Sequence, residues 1–368
     1  MKKILLLIML VSSVLFAKSE TQACKKCHPT IVEEFQSSLH KHASFNDDKI
    51  HKALWDRHPL HAKGKYECAK CHAPNAKNEE DMKEPFTCLS CHTITNIEHH
   101  PISDKNIYET KPKQFYSAEA GRENEKLVYK EKTSFFGLQT GTVGSPYHKI
   151  DYRNKQFYTG EICMGCHSHK QNSHQFTLCQ TDKEGASSKK QNCITCHMPK
   201  IKGTATTIRI SETHAFHGFA GARNNSEMLS KYVELSFEQN ENGFSIGIKN
   251  RSPHDLLTHP LRVVELRVNL IRNGKTTALK SQKFLKVIGH DGKPSMPWIA
   301  DKILMNTMIK ADEKRTVAYT THLQSKDTIE AELGFYIVNP KALGKLGLEK
   351  NEDAKKFTIL KQKYFTVK

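Results

Sequence analysis

Past Cys196 the chain has no cysteine, and past Phe16 it has no long apolar run. The second absence excludes a membrane-spanning helix from everything after the first twenty residues, because a span needs about 20 consecutive apolar residues. Hydrophobic residues make up only 37% of 368, and aromatic ones 8%. One large core built from side chains alone is therefore excluded, and a division into two domains is expected. Acidic residues are also short, with 39 Asp and Glu against 56 Lys and Arg and a formal charge of +17. The basic excess is scattered among acidic residues rather than gathered into blocks, which argues against a nucleic-acid partner.

The one apolar run, Ile4 to Phe16, follows Lys2 and Lys3 and leads into Leu15-Phe16-Ala17. A basic start, a short apolar stretch and a small residue at the end have the form of an export signal. Residues 1–17 are read as that signal, cleaved near Ala17, with an uncleaved anchor as the alternative. The mature chain is then expected in the periplasm, with no span of its own.

What the chain does have is cysteine in one arrangement. CKKCH at Cys24, CAKCH at Cys68, CLSCH at Cys88, CMGCH at Cys163 and CITCH at Cys193 repeat Cys-x-x-Cys-His five times. Two thiols at this spacing add to the two vinyl groups of a haem, and the following His coordinates the iron. Zinc knuckles and disulfide pairs also use Cys-x-x-Cys, but neither requires His as the fifth residue. With His at about 6% of the chain, five coincidences have odds of about one in a million. Five haem c groups are expected, attached through Cys24, Cys27, Cys68, Cys71, Cys88, Cys91, Cys163, Cys166, Cys193 and Cys196. Their proximal ligands are His28, His72, His92, His167 and His197. Without Lys2 and Lys3, and with the haem carboxylates counted, the charge falls to about +10 oxidised and about +5 reduced. That residue of positive charge suits an acidic redox partner.

All eleven cysteines and seventeen of the 21 histidines precede residue 231. The boundary is drawn there: a haem-rich domain over 18–230, with short helices and much irregular structure, and a second domain over 231–368. In the first, Ile31, Phe35 and Leu39 recur at helical spacing ahead of His40 and His42, and Asp47 or Asp48 caps a helix that breaks before Pro59. The polar stretch from Ile94 to Gly160 is expected to be mostly irregular, and the run joining the fourth and fifth motifs to be a surface loop. In the second, Val233, Leu235 and Phe237 alternate, as do Phe244, Ile246 and Ile248, then Val264 to Leu270, then Ala331 to Ile337. Asn242-Gly243 and Asn273-Gly274 read as hairpin turns. About seven strands point to an immunoglobulin-like antiparallel β-sandwich, with a short helix near Pro340 to Leu346.

The sixth ligand of each iron decides whether it carries electrons or meets a substrate. Sixteen histidines remain (21 − 5), enough for every iron to be bis-His. Local context nominates His40 or His42, His58 or His61, His148, His169 or His174, and His214 or His217. His254 or His259, in NRSPHDLLTHP, would act across the domain interface if that loop is more than a polar connection. His99 and His100 read as loop residues or carboxylate partners. Cys179 has no Cys-x-x-Cys partner. It is a buried neutral thiol, an intermolecular disulfide site, or a thiolate ligand or catalytic sulfur.

ACKKCHPTIVEEFQSSLHKHA, SPYH, CITCHMP and THAFHGFAGA together resemble multihaem c-type cytochromes related to the tetrahaem cytochrome that accepts electrons from hydroxylamine oxidoreductase, over roughly residues 22–222. NRSPHDLLTHPLRVVELRV is similar to the opening of β-domains fused to such proteins. The resemblance implies periplasmic electron transfer through closely stacked haems, with the SxxH-type histidines and that of SPYH, His148, as distal ligands. Five motifs in place of four prevent transfer of the family's haem order. The expected function is an electron relay between redox partners such as another cytochrome, a quinol dehydrogenase or a reductase. The alternative is a reductase or oxidase of a small nitrogen or sulfur compound at one five-coordinate haem. For that reading, the Cys-x-x-Cys-Lys motif of pentahaem nitrite reductases is absent.

Overall fold

The computed structural model describes residues 20–134, 136–181 and 191–368. The leader segment, 1–17, lies outside the described residues, as does 182–190 of the run between the fourth and fifth motifs.

Helices in the first part are short. Pro29–Ser37 starts on Pro29, whose missing N–H costs nothing in a first turn, and buries Val32 and Phe35. It ends at Ser37, so His40 and His42 follow it in a turn. Lys49–Trp55 is capped by Asp48, whose carboxylate accepts from the Ile50 N–H, and buries Ile50, His51, Ala53 and Trp55. Four of the motifs lie on single helical turns, Ala69–His72, Leu89–His92, Met164–His167 and Cys193–His197. In the other, the His28 N–H closes back to the Cys24 carbonyl at 2.9 Å. Residues i, i+3 and i+4 share one helical face, so each turn directs both sulfurs and the imidazole to the same side.

The stretch from Ile94 to Gly160 differs from expectation. Ile94–Glu98 pairs antiparallel with Lys105–Tyr108, Lys130–Thr133 pairs with Gln139–Val143, and Gln114–Tyr116 runs parallel to Lys149–Asp151. These ribbons carry little apolar surface, Lys130–Thr133 being exposed throughout, which is why hydrophobic periodicity did not reveal them. The run after the fourth motif is likewise a hairpin in part, His169–Gln171 against Thr177–Gln180.

After Tyr232 the chain forms a three-stranded and a seven-stranded antiparallel sheet. Val233–Asn240 turns at Asn242-Gly243 into Gly243–Asn250, and Val263–Arg272 turns at Asn273-Gly274 into Lys275–Ala278. Both residues of the second turn have positive φ, 50° and 74°, the geometry Asn-Gly accepts most readily. Phe244, Ile246 and Ile248 from one sheet and Leu266, Val268, Leu333 and Phe335 from the other enter one buried cluster. Phe237 stacks on Phe365 across it, ring centres 5.5 Å apart. Pro340–Ala342 and Leu343–Leu346 form the expected short helical segment. Ile50 and Ala53 of the helix Lys49–Trp55 join the same cluster, so the first part docks on the sheets through apolar contact. Phe244 is 0% exposed, and Phe244→Ala is expected to cost about 3–5 kcal/mol, read as a lower midpoint in denaturant unfolding.

Candidate metal centres

The five motifs, far apart in sequence, converge. The thiol of Cys24 hydrogen-bonds with that of Cys88, Cys71 with Cys166, and Cys163 with Cys193. Cys91 lies within electrostatic reach of Cys163 and Cys166. The first motif thus adjoins the third, the third adjoins the fourth, and the fourth adjoins both the second and the fifth. None of these contacts is a disulfide. The hydrogen bond from Cys166 brings the Cys71 thiol down to about 7, whereas burial pushes Cys91 up to about 11.

The imidazoles are arranged in a way that their hydrogen bonds alone do not explain. His28 and His148 have ring centres 6.4 Å apart, His167 and His40 6.1 Å, His92 and His217 6.3 Å, and His197 and His254 6.2 Å. A metal midway between two rings, with metal–nitrogen bonds of about 2 Å, sets the centres about 6.3 Å apart. Four of the five motif histidines therefore face a second imidazole at the separation that an iron between them requires.

The other ring nitrogen supports the same fit. Metal-bound histidines characteristically donate their second N–H to a carbonyl or carboxylate, which fixes the tautomer. Nδ1–H of His28 donates to the Ala205 carbonyl (2.8 Å), His72 to Ala43 (3.1 Å), His92 to Tyr116 (2.7 Å) and His197 to Ala220 (2.6 Å). On the opposing side, His217 donates to Ala215 (2.7 Å) and His254 to Asp255 (2.8 Å). Among the described residues, Nδ1 of His40 is buried without a hydrogen-bond partner. Burial, with neighbouring histidines, pushes His40 to about 3 and His217 to about 4. The rings are thus held neutral, the form that binds metal. Haem c fits this donor set: ten thiols on five helical turns, with imidazoles paired across the space between them.

Among the described residues, several sequence candidates are not paired with a motif histidine at this spacing. His42 has both nitrogens engaged, by Asp47 and by the Gln36 carbonyl. His214 donates to Gly203 and meets Glu34 at 2.7 Å. His169 is held by Ser168 and by the Pro101 carbonyl. His58 accepts from the Leu60 N–H and sits between Trp55 and Trp298. His61 packs edge-on against Trp55, and the ring of His174 lies 6.3 Å from that of His290, centre to centre. His51, which local context did not nominate, lies 4.0 Å from His72. Its position one helical turn before Trp55, on the buried side of Lys49–Trp55, is the signal that could have found it.

Gly160 brings the fourth and fifth motifs together. At φ +80°, a Cβ there would lie 2.9 Å from Cys193 Cβ. Gly160→Ala is expected to cost about 1–2 kcal/mol for its backbone conformation alone. The clash should also lower iron occupancy at the fifth motif, read by metal analysis alongside a thermal melt.

No protein-family model and no curated protein sequence matches this chain. The fold does have a counterpart among solved structures: the chain is similar to the crystal structure of a penta-heme cytochrome c552 from Thermochromatium tepidum, with a TM-score of 0.69 and 20% identity over 95% of this chain and 99% of that one.

Proposed function

We propose that the chain is a periplasmic c-type cytochrome that carries five covalently attached haems and relays electrons between redox proteins. The observation that carries this reading is the set of four imidazole pairs at 6.1–6.4 Å, each made of one motif histidine and one distant histidine. Its fold counterpart bears five haems by its description, and this chain has five motifs of its own.

Bound haem supplies reversible one-electron chemistry. The cysteines would tie each group at two points, and the four imidazole pairs would each hold an iron from both sides, which favours low potentials over substrate binding. His148, His40, His217 and His254 are the proposed distal ligands to the irons on His28, His167, His92 and His197. The contacts between motifs keep neighbouring centres adjacent in one array. The two C-terminal sheets, read as a sandwich, support that array through Ile50 and Ala53 and supply His254. The excess of Lys and Arg suits an acidic partner, with association that weakens as salt rises.

Mass spectrometry of the purified holoprotein tests the haem count, and electron paramagnetic resonance tests the ligation. Five haems with at least four low-spin ferric centres are expected. A protein without covalent haem would end this reading. His148→Ala is expected to turn one low-spin iron in five high-spin, and an unchanged spectrum would remove His148 from the ligand set.

A further inference from the structure

The loop from Gly203 to Glu212 stands directly behind the first motif. Its Ala205 carbonyl accepts from Nδ1–H of His28 at 2.8 Å, and its Thr207 N–H donates to the Cys27 carbonyl at 2.8 Å. The loop is therefore one hydrogen bond from the imidazole, and one from the backbone of a cysteine, that would hold the first haem. Iron would be bound by Nε2, at the other side of the ring, so the outer surface of the loop is not where a porphyrin lies.

Its backbone is tied at the base and from within. Lys200–Lys202 pairs antiparallel with Thr213–Ala215, and the Gly203 N–H donates to the Glu212 carbonyl at 2.9 Å. The Thr204 hydroxyl lies 2.9 Å from the Thr206 carbonyl and 3.1 Å from that of Arg209, and it accepts from the Ser211 N–H at 3.1 Å. This frame presents two branched aliphatic side chains to solvent, Ile208 at 63% exposed and Ile210 at 88%. A lone exposed apolar side chain is ordinary, but these two flank Arg209 on one ordered loop. Lys25 and Lys26 of the first motif are exposed, as is Lys202 at the entrance to the loop. Against these cations stand Glu212 at the base of the loop and Glu119, a carboxylate shared by Arg209 at 2.9 Å and Arg122 at 3.2 Å. An apolar centre with a rim that is basic in balance thus adjoins the motif.

We infer that this loop, with Lys25 and Lys26 beside it, is the docking surface for a small acidic redox protein, which exchanges electrons with the array at the first motif. This rests on the reading that the motifs carry haem. Protein interfaces join an apolar centre to a polar rim. Ile208 and Ile210 supply the centre, and the excess of cations around them selects a partner whose own redox centre is ringed by Asp and Glu. Because the loop is ordered before contact, little conformational freedom is lost on binding. One electron passes from the reduced centre of the partner to the ferric first haem, and no bond or proton changes hands.

The test mixes ferric holoprotein with a reduced acidic iron–sulfur ferredoxin in stopped flow and follows the haem absorption, with dithionite as a reductant too small to need docking. Ile208→Ser/Ile210→Ser and Lys25→Glu/Lys202→Glu are each expected to slow reduction by the ferredoxin about tenfold and to leave reduction by dithionite unchanged. The charge variant should also flatten the slowing that added salt causes in the native protein. Lys275→Glu/Lys280→Glu, at exposed positions of the C-terminal part, should change neither rate. Because Lys25 lies inside an attachment motif, haem content is checked by mass first, and the isoleucine pair, outside every motif, carries the test on its own. Ferredoxin rates unchanged by the isoleucine variant, or lowered equally by the Lys275/Lys280 variant, overturn the proposal. A concentration-dependent dimer in sedimentation that Ile208→Ser/Ile210→Ser abolishes would give this surface to a second copy of the chain and overturn it as well. Absence of the haems would overturn the reading beneath it instead.

Discussion

Produced without covalent haem attachment, the chain is expected to leave a protease-resistant fragment beginning near Val233, while residues 20–225 are digested. The asymmetry lies in where the apolar burial is. The buried cluster draws Phe244, Ile246, Leu266, Val268, Ile329, Leu333 and Phe335 from the two sheets, and only Ile50 and Ala53 of its fully buried members come from before residue 230. The motif turns are four or five residues long, well below the length at which a helix holds itself, about 12–15 residues. Ordering a residue's backbone costs about 1–2 kcal/mol. The scattered burial of Val32, Phe35, Phe86 and Phe157 does not offset that over two hundred residues. On the proposed reading, a porphyrin at each of the five motifs would supply the missing apolar area. Limited proteolysis with mass mapping, on holoprotein and on chain made without haem attachment, reads the result directly. Equal resistance of residues 20–225 in both forms would show that this part has a core of its own.

The parts legible in the sequence are those whose cause is local. Cys-x-x-Cys-His fixes a helical turn by its own spacing, Asp48 caps the next helix, and Asn-Gly with alternating apolar neighbours makes hairpins. What meets what across the interior was not legible. His148 comes from a strand-flanking turn 120 positions from His28, and His254 from a loop between strands. Their approach depends on docking that no local pattern encodes. Local context also cannot say which nitrogens are already occupied. His42 and His214 have a ligand-like setting in sequence but in the fold spend both nitrogens on other partners. The ribbons between Ile94 and Asp151 escaped because their strands are short and polar. Backbone pairing, rather than a buried face, defines them.

His254→Ala carries the second large effect, since it separates the ligand role of the C-terminal part from its structural one. His254 reaches the His197 ring with centres 6.2 Å apart and planes 19° from parallel. Its Nδ1–H is committed to the Asp255 carbonyl. The loop that presents it is held independently: Asn250 donates to the carbonyls of His254 and Lys310, and Ser252 donates to the His254 carbonyl. Both Asn250 and Leu256, which flank the site, are buried. Removing the imidazole therefore leaves the loop's backbone anchored. The expected result is one iron in five converted from low-spin to high-spin, open to cyanide or imidazole, with little loss of unfolding midpoint. Added imidazole should restore the low-spin signal by filling the vacated position. His42→Ala, at an exposed ring engaged by Asp47 and Gln36, should leave all five signals unchanged. If His254→Ala does the same, the contact with His197 is packing alone, and the sheets hold the array in place without contributing to its chemistry.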